Sequence, residues 1–337
     1  MTNSIAVIQQ KYRQNKKNME QKKEIPQPLM VTIRCCTFNH EPYIRDCLEG
    51  FVMQKTNFRF EAIVHDDAST DGTAAIIKEY AVKYPDIIKP IFETENQYSK
   101  HDGSLGRIMN EHTHGKYVAY CEGDDYWIDP LKLQKQVDFL ETHPDYSMCC
   151  SNYSVCDANN KILRTFNRKQ HEITIDNLLS ANEIGTLTVV YRRALIEDYN
   201  PPYKGLKLGD YPLWFHLVMK GKCMCLPDVM ASYRELPESA SHSVDKRKLL
   251  LFEYDVLKII DYYATLLNKK AQVNENVKER MTQVLNTCFH YGYIKLLPNA
   301  FYKLLKQYGG YDLRARAFRL ALKTKVLYQL SKCLKKW

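Results

Sequence analysis

The sequence predicts an α/β fold: a mixed, mostly parallel sheet flanked by helices, with a helical appendage at its C-terminal end. Three observations predict it. Short apolar, β-branched runs alternate with stretches of helical periodicity from residue 29 to about residue 157, at the spacing of βαβ units. From about residue 246 onward the pattern is helical. The composition, 45% hydrophobic and 26% charged over 337 residues, is that of an ordinary soluble chain able to bury a core.

LMVTIRCCTF (29–38) reads as a buried first strand. In NHEPYIRDCLEGFVMQ after it, Pro42 stands in a helix-opening position, with Ile44, Cys47, Leu48, Phe51 and Val52 at helical spacing. FRFEAIVHD (58–66) is a second strand. In ASTDGTAAIIKEYAVKYP, Ser69 or Asp71 can cap a helix whose inner face is Ala75, Ile76, Tyr80 and Val82 or the stem of Lys83. IIKPIFE (87–93) is a third strand, and a polar loop then runs into a helix near Asn110. GKYVAYC (115–121) is a fourth strand. DPLKLQKQVDFLETHP (129–144) is a helix with Leu131, Leu133, Val137 and Leu140 inward, and YSMCCSNYSVCD (146–157) is strand-like. Residues 160–245 are mixed, with a helix over 210–221 and a strand over 224–233. The chain divides into a basic polar extension (1–25), an α/β domain (26–245) and a helical region with a basic tail (246–337).

The formal charge is +9, placed unevenly. Residues 1–25 carry +4 and residues 313–337 carry +8, which leaves −3 on the body. A nucleic-acid partner is therefore not expected. The tail LRARAFRLALKTKVLYQLSKCLKKW (313–337) is helix-compatible and suits an anionic membrane surface, or simply a docked helix with a solvated basic edge. Eleven cysteines without C-x-x-C spacing read as buried free thiols of a reducing compartment. No signal peptide or membrane span is legible, so the expected place is the cytoplasm, peripheral at the inner face of the membrane if the tail binds lipid.

In a parallel sheet, ligands collect beyond the carboxyl ends of the strands. TFNHE, DDASTDGT and EGDDYW each follow a strand there. Asp66 and Asp67 can accept from a nucleobase imide or from ribose hydroxyls, or can merely favour a turn. Glu122, Asp124 and Asp125 are hard oxygen ligands suited to Mg2+ or Mn2+, or else form an exposed acidic loop. Tyr126 and Trp127 argue against plain exposure.

In combination these stretches resemble the family-2 glycosyltransferases, over roughly residues 29–235. That family has a T/S-x-N segment after the first strand, here Thr37-Phe38-Asn39, followed by an acid, here Glu41. It has D-D-x-S-x-D-G-T after the second, matched by Asp66 to Thr73, and a D-x-D-D type of metal motif after the fourth, here Glu122-Gly123-Asp124-Asp125. The first acid of the last motif departs from the pattern, being Glu.

The resemblance implies a GT-A (Rossmann-like) fold, a nucleotide-sugar donor and an inverting reaction. By it Asp124, then Asp125, then Glu122 hold the metal, while Asp66, Asp67, Thr37, Asn39 and Glu41 line the donor pocket. It also implies a carboxylate base on the acceptor side. Asp210, 86 residues after Asp124 and at the start of a helix, fits that place, with helix capping as the competing role. Arg107 could reach the nucleotide or stand exposed on its helix. Trp127 and His242 are assigned to the diphosphate or acceptor end, although Glu235-Leu236-Pro237 interrupt the usual spacing between Tyr233-Arg234 and Ser241-His242. Neither the Q-x-x-R-W of processive synthases nor the Gly-rich opening loop of pyrophosphorylases is present.

The expected activity is transfer of one sugar, from a UDP-sugar by preference, to a saccharide or lipid-linked acceptor in surface polysaccharide synthesis. The alternatives are a non-catalytic sugar-nucleotide-binding subunit and a sugar nucleotidyltransferase.

Overall fold

The computed structural model describes residues 28–310 except 204, 205, 207, 238, 240–242, 294 and 295, together with 315 and 316. The basic N-terminal extension, His242 and nearly all of the tail 313–337 lie outside the described residues.

The first half is the expected alternation. It runs β1 (Leu29–Thr37), α1 (Ile44–Val52), β2 (Arg59–Asp66), α2 (Thr73–Lys83), β3 (Ile88–Phe92), α3 (Ser104–Glu111) and β4 (Tyr117–Tyr120). These strands lie in the order β3-β2-β1-β4, all parallel. Strand order reverses between β1 and β4, so their carboxyl ends flank a crevice of the kind that takes ligands in open α/β sheets.

The second half is antiparallel where it joins the first. It comprises β5 (Tyr126–Trp127), α4 (Lys132–Thr142), β6 (Tyr146–Cys156), β7 (Ile162–Thr165), β8 (His171–Ile173), α5 (Ile175–Ser180), β9 (Val190–Arg192), α6 (Asp210–Lys220) and β10 (Lys222–Arg234). The three-residue β9 pairs antiparallel with both β4 and β6, and β6 then pairs parallel with β10. The result is one mixed sheet whose long ladders are parallel. Three helices complete the described chain: α7 (Lys246–Leu266), α8 (Lys270–Tyr291) and α9 (Asn299–Gln307). Asp245 caps α7 by accepting the Arg247 N–H at 2.9 Å, and α8 stops at Gly292, whose φ of 69° is the left-handed conformation favoured there.

Strand alternation divides the core between the two faces of the sheet. Val31, Ile33 and Cys35 of β1 face α1 and α2 in one cluster, which also takes in Trp127, Leu133 and Val137. Val118, Met148 and Tyr191 face the other way, into a cluster completed by Trp214 and Phe215 of α6 and by α7, α8 and α9. The helical region thus shares a core with the sheet. The ten described cysteines are free, and all but Cys36 are buried.

Two inward faces differ from expectation. On α2 the buried residues are Thr73, Ile77 and Tyr80, spaced at four and three, which turns Ala75 and Val82 to solvent. Helix α4 begins at Lys132, after Leu131, which is exposed. Among the described residues no helix is long and apolar enough to cross a membrane.

Candidate active site

The loops after β1 and β2 are stitched to each other side chain to backbone. Asn39 adopts a left-handed φ of 56°, which short polar side chains tolerate. Its backbone N–H donates to Ser69 Oγ at 2.9 Å, and its Oδ1 accepts the Thr70 N–H at 2.8 Å. Glu41 Oε2 accepts the Gly72 N–H at 2.8 Å, and the Glu41 N–H donates to Asp71 Oδ2 at 3.1 Å. A Cβ at residue 72 would stand 2.4 Å from the Glu41 carboxylate, so only glycine permits this approach. Asp71 also accepts the Thr73 N–H at 3.0 Å, whereas Ser69, the other candidate cap, is spent on Asn39. Asn39 and Glu41 therefore brace the rim.

Asp67 is buried, and its two oxygens accept the N–H groups of Gln97 at 2.6 Å and Tyr98 at 3.0 Å. It fixes the segment after β3 against the end of β2. Asp66 is 2% exposed, and its Oδ1 has no hydrogen-bond partner. Thr37, also buried, accepts the Asp67 N–H on its carbonyl at 2.9 Å.

After β4 the chain keeps its ladder with β1 for two more bonds, Cys121 N–H to Arg34 O and Gly123 N–H to Cys36 O. Gly123 crosses over Thr37 so closely that a Cβ would lie 2.6 Å from the threonine side chain. The three acids differ in burial and partners. Asp125 is 4% exposed and accepts the Arg234 N–H at 2.8 Å. Glu122 and Asp124 are half-buried.

The Glu122 carboxyl is pushed up to about 8 by burial first, then by the charge of Asp124 and the charge of Asp210, with Arg34 opposing them. Burial, followed by Asp124, pushes Asp125 well above the usual range. The Cys36 thiol is raised by burial, by Glu122 and, more weakly, by Asp67. The acidic loop and the start of α6 meet at one turn, where the Trp127 indole N–H donates to Leu187 O and the Thr186 hydroxyl donates to Asp210.

Asp210 begins α6. Its Oδ2 accepts the Thr186 hydroxyl at 2.5 Å and its Oδ1 accepts the Tyr211 N–H at 2.8 Å. The N-cap, Gly209, has no side chain to close this helix, and Asp210 Oδ1 takes up one first-turn N–H in its place.

Two expected contacts fall elsewhere. Arg107 has its side chain 61% exposed on α3 and turned to Asp102, donating to its carbonyl at 2.9 Å. Trp127 is 2% exposed. Its indole N–H donates to Leu187 O at 2.8 Å and its ring meets Phe51 edge-on, so it props the acidic loop from below. Sequence reasoning missed Arg34 and Thr186, and noted Arg234 only as part of Tyr233-Arg234, without its partners. Tyr233-Arg234 at a strand end was the one available signal.

Among the described residues, no three His, Cys, Asp or Glu side chains close into a cage that could hold a metal alone. The donor set still fits Mg2+ or Mn2+. Glu122 and Asp124 supply hard oxygens, and a cation would relieve the repulsion that lifts Glu122. Such ions commonly complete their shell with water and substrate phosphate.

Fold and crevice together define the GT-A class of nucleotide-sugar folds. Residues 32–199 match the family described as Glycosyl transferase family 2, and the chain belongs to it. An uncharacterized protein of Mycobacterium tuberculosis is 37% identical over 226 residues, 65% of this chain and 63% of that protein. The chain thus spans under two thirds of that relative's length. The Escherichia coli UDP-Glc:alpha-D-GlcNAc-diphosphoundecaprenol beta-1,3-glucosyltransferase WfgD is 26% identical over 228 residues, 68% of this chain and 85% of WfgD. Among solved structures, the mannosyltransferase PcManGT of Pyrobaculum calidifontis, in complex with GDP-Man and Mn2+, has a TM-score of 0.54. It is 16% identical and the match covers 96% of this chain and 93% of PcManGT.

Proposed function

We propose that the chain is a metal-dependent inverting glycosyltransferase. It moves one sugar from a nucleotide donor, by preference a UDP-sugar, to a hydroxyl of a saccharide or lipid-linked acceptor in surface polysaccharide synthesis. One observation carries the reading: the acidic loop and Asp210, far apart in the chain, meet at one turn, where Leu187 O accepts the Trp127 indole N–H and Thr186 donates to Asp210. WfgD, named for a UDP-Glc donor and a lipid diphosphate acceptor, and PcManGT with its Mn2+, agree with the donor, acceptor and metal classes.

Asp66 and Asp67, with Thr37 beside them, are assigned the base and ribose end of the donor. The Asp66 Oδ1, buried and unpartnered, is the acceptor left open there. Asp124 and Glu122 would hold the metal, which when bound neutralises charge gathering on the departing diphosphate. Asp210 takes the acceptor proton while the acceptor oxygen bonds to the anomeric carbon and the bond from that carbon to the diphosphate breaks. Thr186 leaves Asp210 lone pairs for that proton and fixes which way the carboxylate faces. The basic tail, 313–337, is assigned to an anionic membrane surface, where a lipid-linked acceptor would lie.

The test is donor turnover. Slow UDP release from UDP-glucose or UDP-GlcNAc in the presence of Mn2+, lost in Asp124→Ala, supports the transferase. Pyrophosphate release instead would identify a nucleotidyltransferase, and donor binding without turnover under any acceptor would leave only a binding module.

A further inference from the structure

Arg234, the last residue of β10, is 1% exposed, and a guanidinium has no reason to be buried unless its donors are used there. Its Nε–H donates to the Asp124 carbonyl at 2.8 Å. One terminal nitrogen donates to Asn160 Oδ1 at 2.6 Å and lies 3.4 and 3.3 Å from the carbonyls of Asp157 and Ala158. The other donates to Asp46 Oδ2 at 2.9 Å. The guanidinium carbon stands 4.7 Å from the centre of the Tyr43 ring and 5.3 Å from that of Tyr126. The backbone N–H of the same residue goes to Asp125 Oδ1.

Four separate pieces of chain therefore meet on one side chain: α1 through Asp46, the acidic loop through Asp124 to Tyr126, the turn after β6 through Asp157 to Asn160, and β10 itself. Asn160 is shaped for this, with a left-handed φ of 64° and its own amide donating to Asp46 at 3.0 Å. The acidic loop is gripped at the Asp124 carbonyl and the Asp125 carboxylate. Asp125 is thereby turned inward, and the backbone that aims the Asp124 side chain is fixed.

We infer that Arg234 is a positioning residue for the divalent-cation and diphosphate site: it touches no substrate, and it sets the direction of the Asp124 carboxylate by clamping the loop around it. This rests on the metal-dependent reading above. A fork is required because all three guanidinium nitrogens have acceptors on separate pieces of chain. A lysine keeps the charge but reaches one or two of them.

The experiment is calorimetric titration of UDP into the full chain with and without Mn2+, on wild type, Arg234→Lys and Asn160→Ala. For Arg234→Lys the Mn2+-dependent gain in UDP affinity is expected to fall about 10- to 100-fold, the usual cost of losing a group that orients a metal ligand. UDP binding without metal should not change, a split that general loosening of the fold would not produce. Asn160→Ala, which removes one acceptor and leaves Arg234 in place, should show the same split more weakly. It serves as the deciding variant if Arg234→Lys does not fold. A Mn2+-dependent gain in the folded variants within twofold of wild type overturns the inference. A wild type with no Mn2+-dependent gain overturns the metal reading itself, and this inference with it.

Discussion

The rim above β1, β2 and β4 and the ledge that carries Asp210 hold their carboxylates by opposite means. On the rim, Asp67 takes two backbone N–H groups of a neighbouring segment, Glu41 takes Gly72, and Asp125 takes Arg234. Each acid there is a fastener between loops distant in sequence. On the ledge, Asp210 is held by one hydroxyl and by the N–H of the next residue. Rim acids thus tie separate loops together, whereas Asp210 takes one bond from another segment and one from its own neighbour.

This difference can be broken experimentally. Asp210→Asn should lower sugar transfer by about 10²–10⁴-fold, the span of a lost general base, with donor affinity and melting temperature unchanged. Near-normal transfer would remove Asp210 as the base. Asp67→Asn should behave in the contrary way. An amide cannot accept both the Gln97 and Tyr98 N–H groups, so urea unfolding should show a loss of about 1–3 kcal/mol, with donor affinity falling alongside. If Asp67→Asn left stability intact, the contrast would fail.

Gly123→Ala sharpens the same point without touching a charge. Its Cβ would meet Thr37 at 2.6 Å, and overpacking of this kind costs about 1–3 kcal/mol. Thr186→Val probes the ledge: kcat should drop about 10-fold with KM retained, as expected for losing one hydrogen bond to a charged group. A fall in stability comparable to that of Asp67→Asn would show that the ledge is fastened after all.

The smallest effect concerns pH. Lys132 is buried beneath the acidic loop, 4.3 Å from the Trp127 ring, with Nζ donating to Gln136 Oε1 at 2.6 Å. Burial lowers its ammonium from 10.5 to about 8. Between those values the unfolded chain binds a proton that the folded one does not, so stability from this group rises with pH across that window and is lowest below it. Lys132→Met should therefore gain on wild type as pH falls from 10.5 to about 8, and hold that advantage below 8. Urea midpoints at pH 7 and pH 10 would show it, and a pH-independent difference would mean that the amine is charged in both states.

The first half was legible in the sequence because its strands are short apolar runs, each followed by a polar cluster and a helical period. LMVTIRCCT and TFNHE needed no partner to be read. In the second half the longer elements were legible too, the helix over 210–221 and the strand over 224–233 among them, but the short strands were not, for a physical reason. β9 is three residues long, and β7 and β8 are four and three, too short to establish a period of two. Their pairing is decided by neighbours distant in the chain. The same limit applied to single residues. Asp210 was visible by its place before a helix, but Thr186 became its partner only when the turn before β9 folded against α6. Trp127 was misjudged because an aromatic next to acids looks like a ligand wall, and nothing local says that Leu187 waits beneath it. Arg34, inside an apolar strand, could be understood only once Asn110 and Tyr120 stood beside it, 2.8 Å from its guanidinium and 5.2 Å beneath it.

Trp214 and Phe215 of α6 have their far side covered by α7, α8 and α9, and Tyr263 of α7 stacks on Phe215 at 4.3 Å. Helix α6 thus lies between the sheet and α7. A chain cut after Asp245 would leave those rings wet and the Asp210 ledge unsupported. The helices after Asp245 are then part of what holds the start of α6, and with it the proposed base, in place.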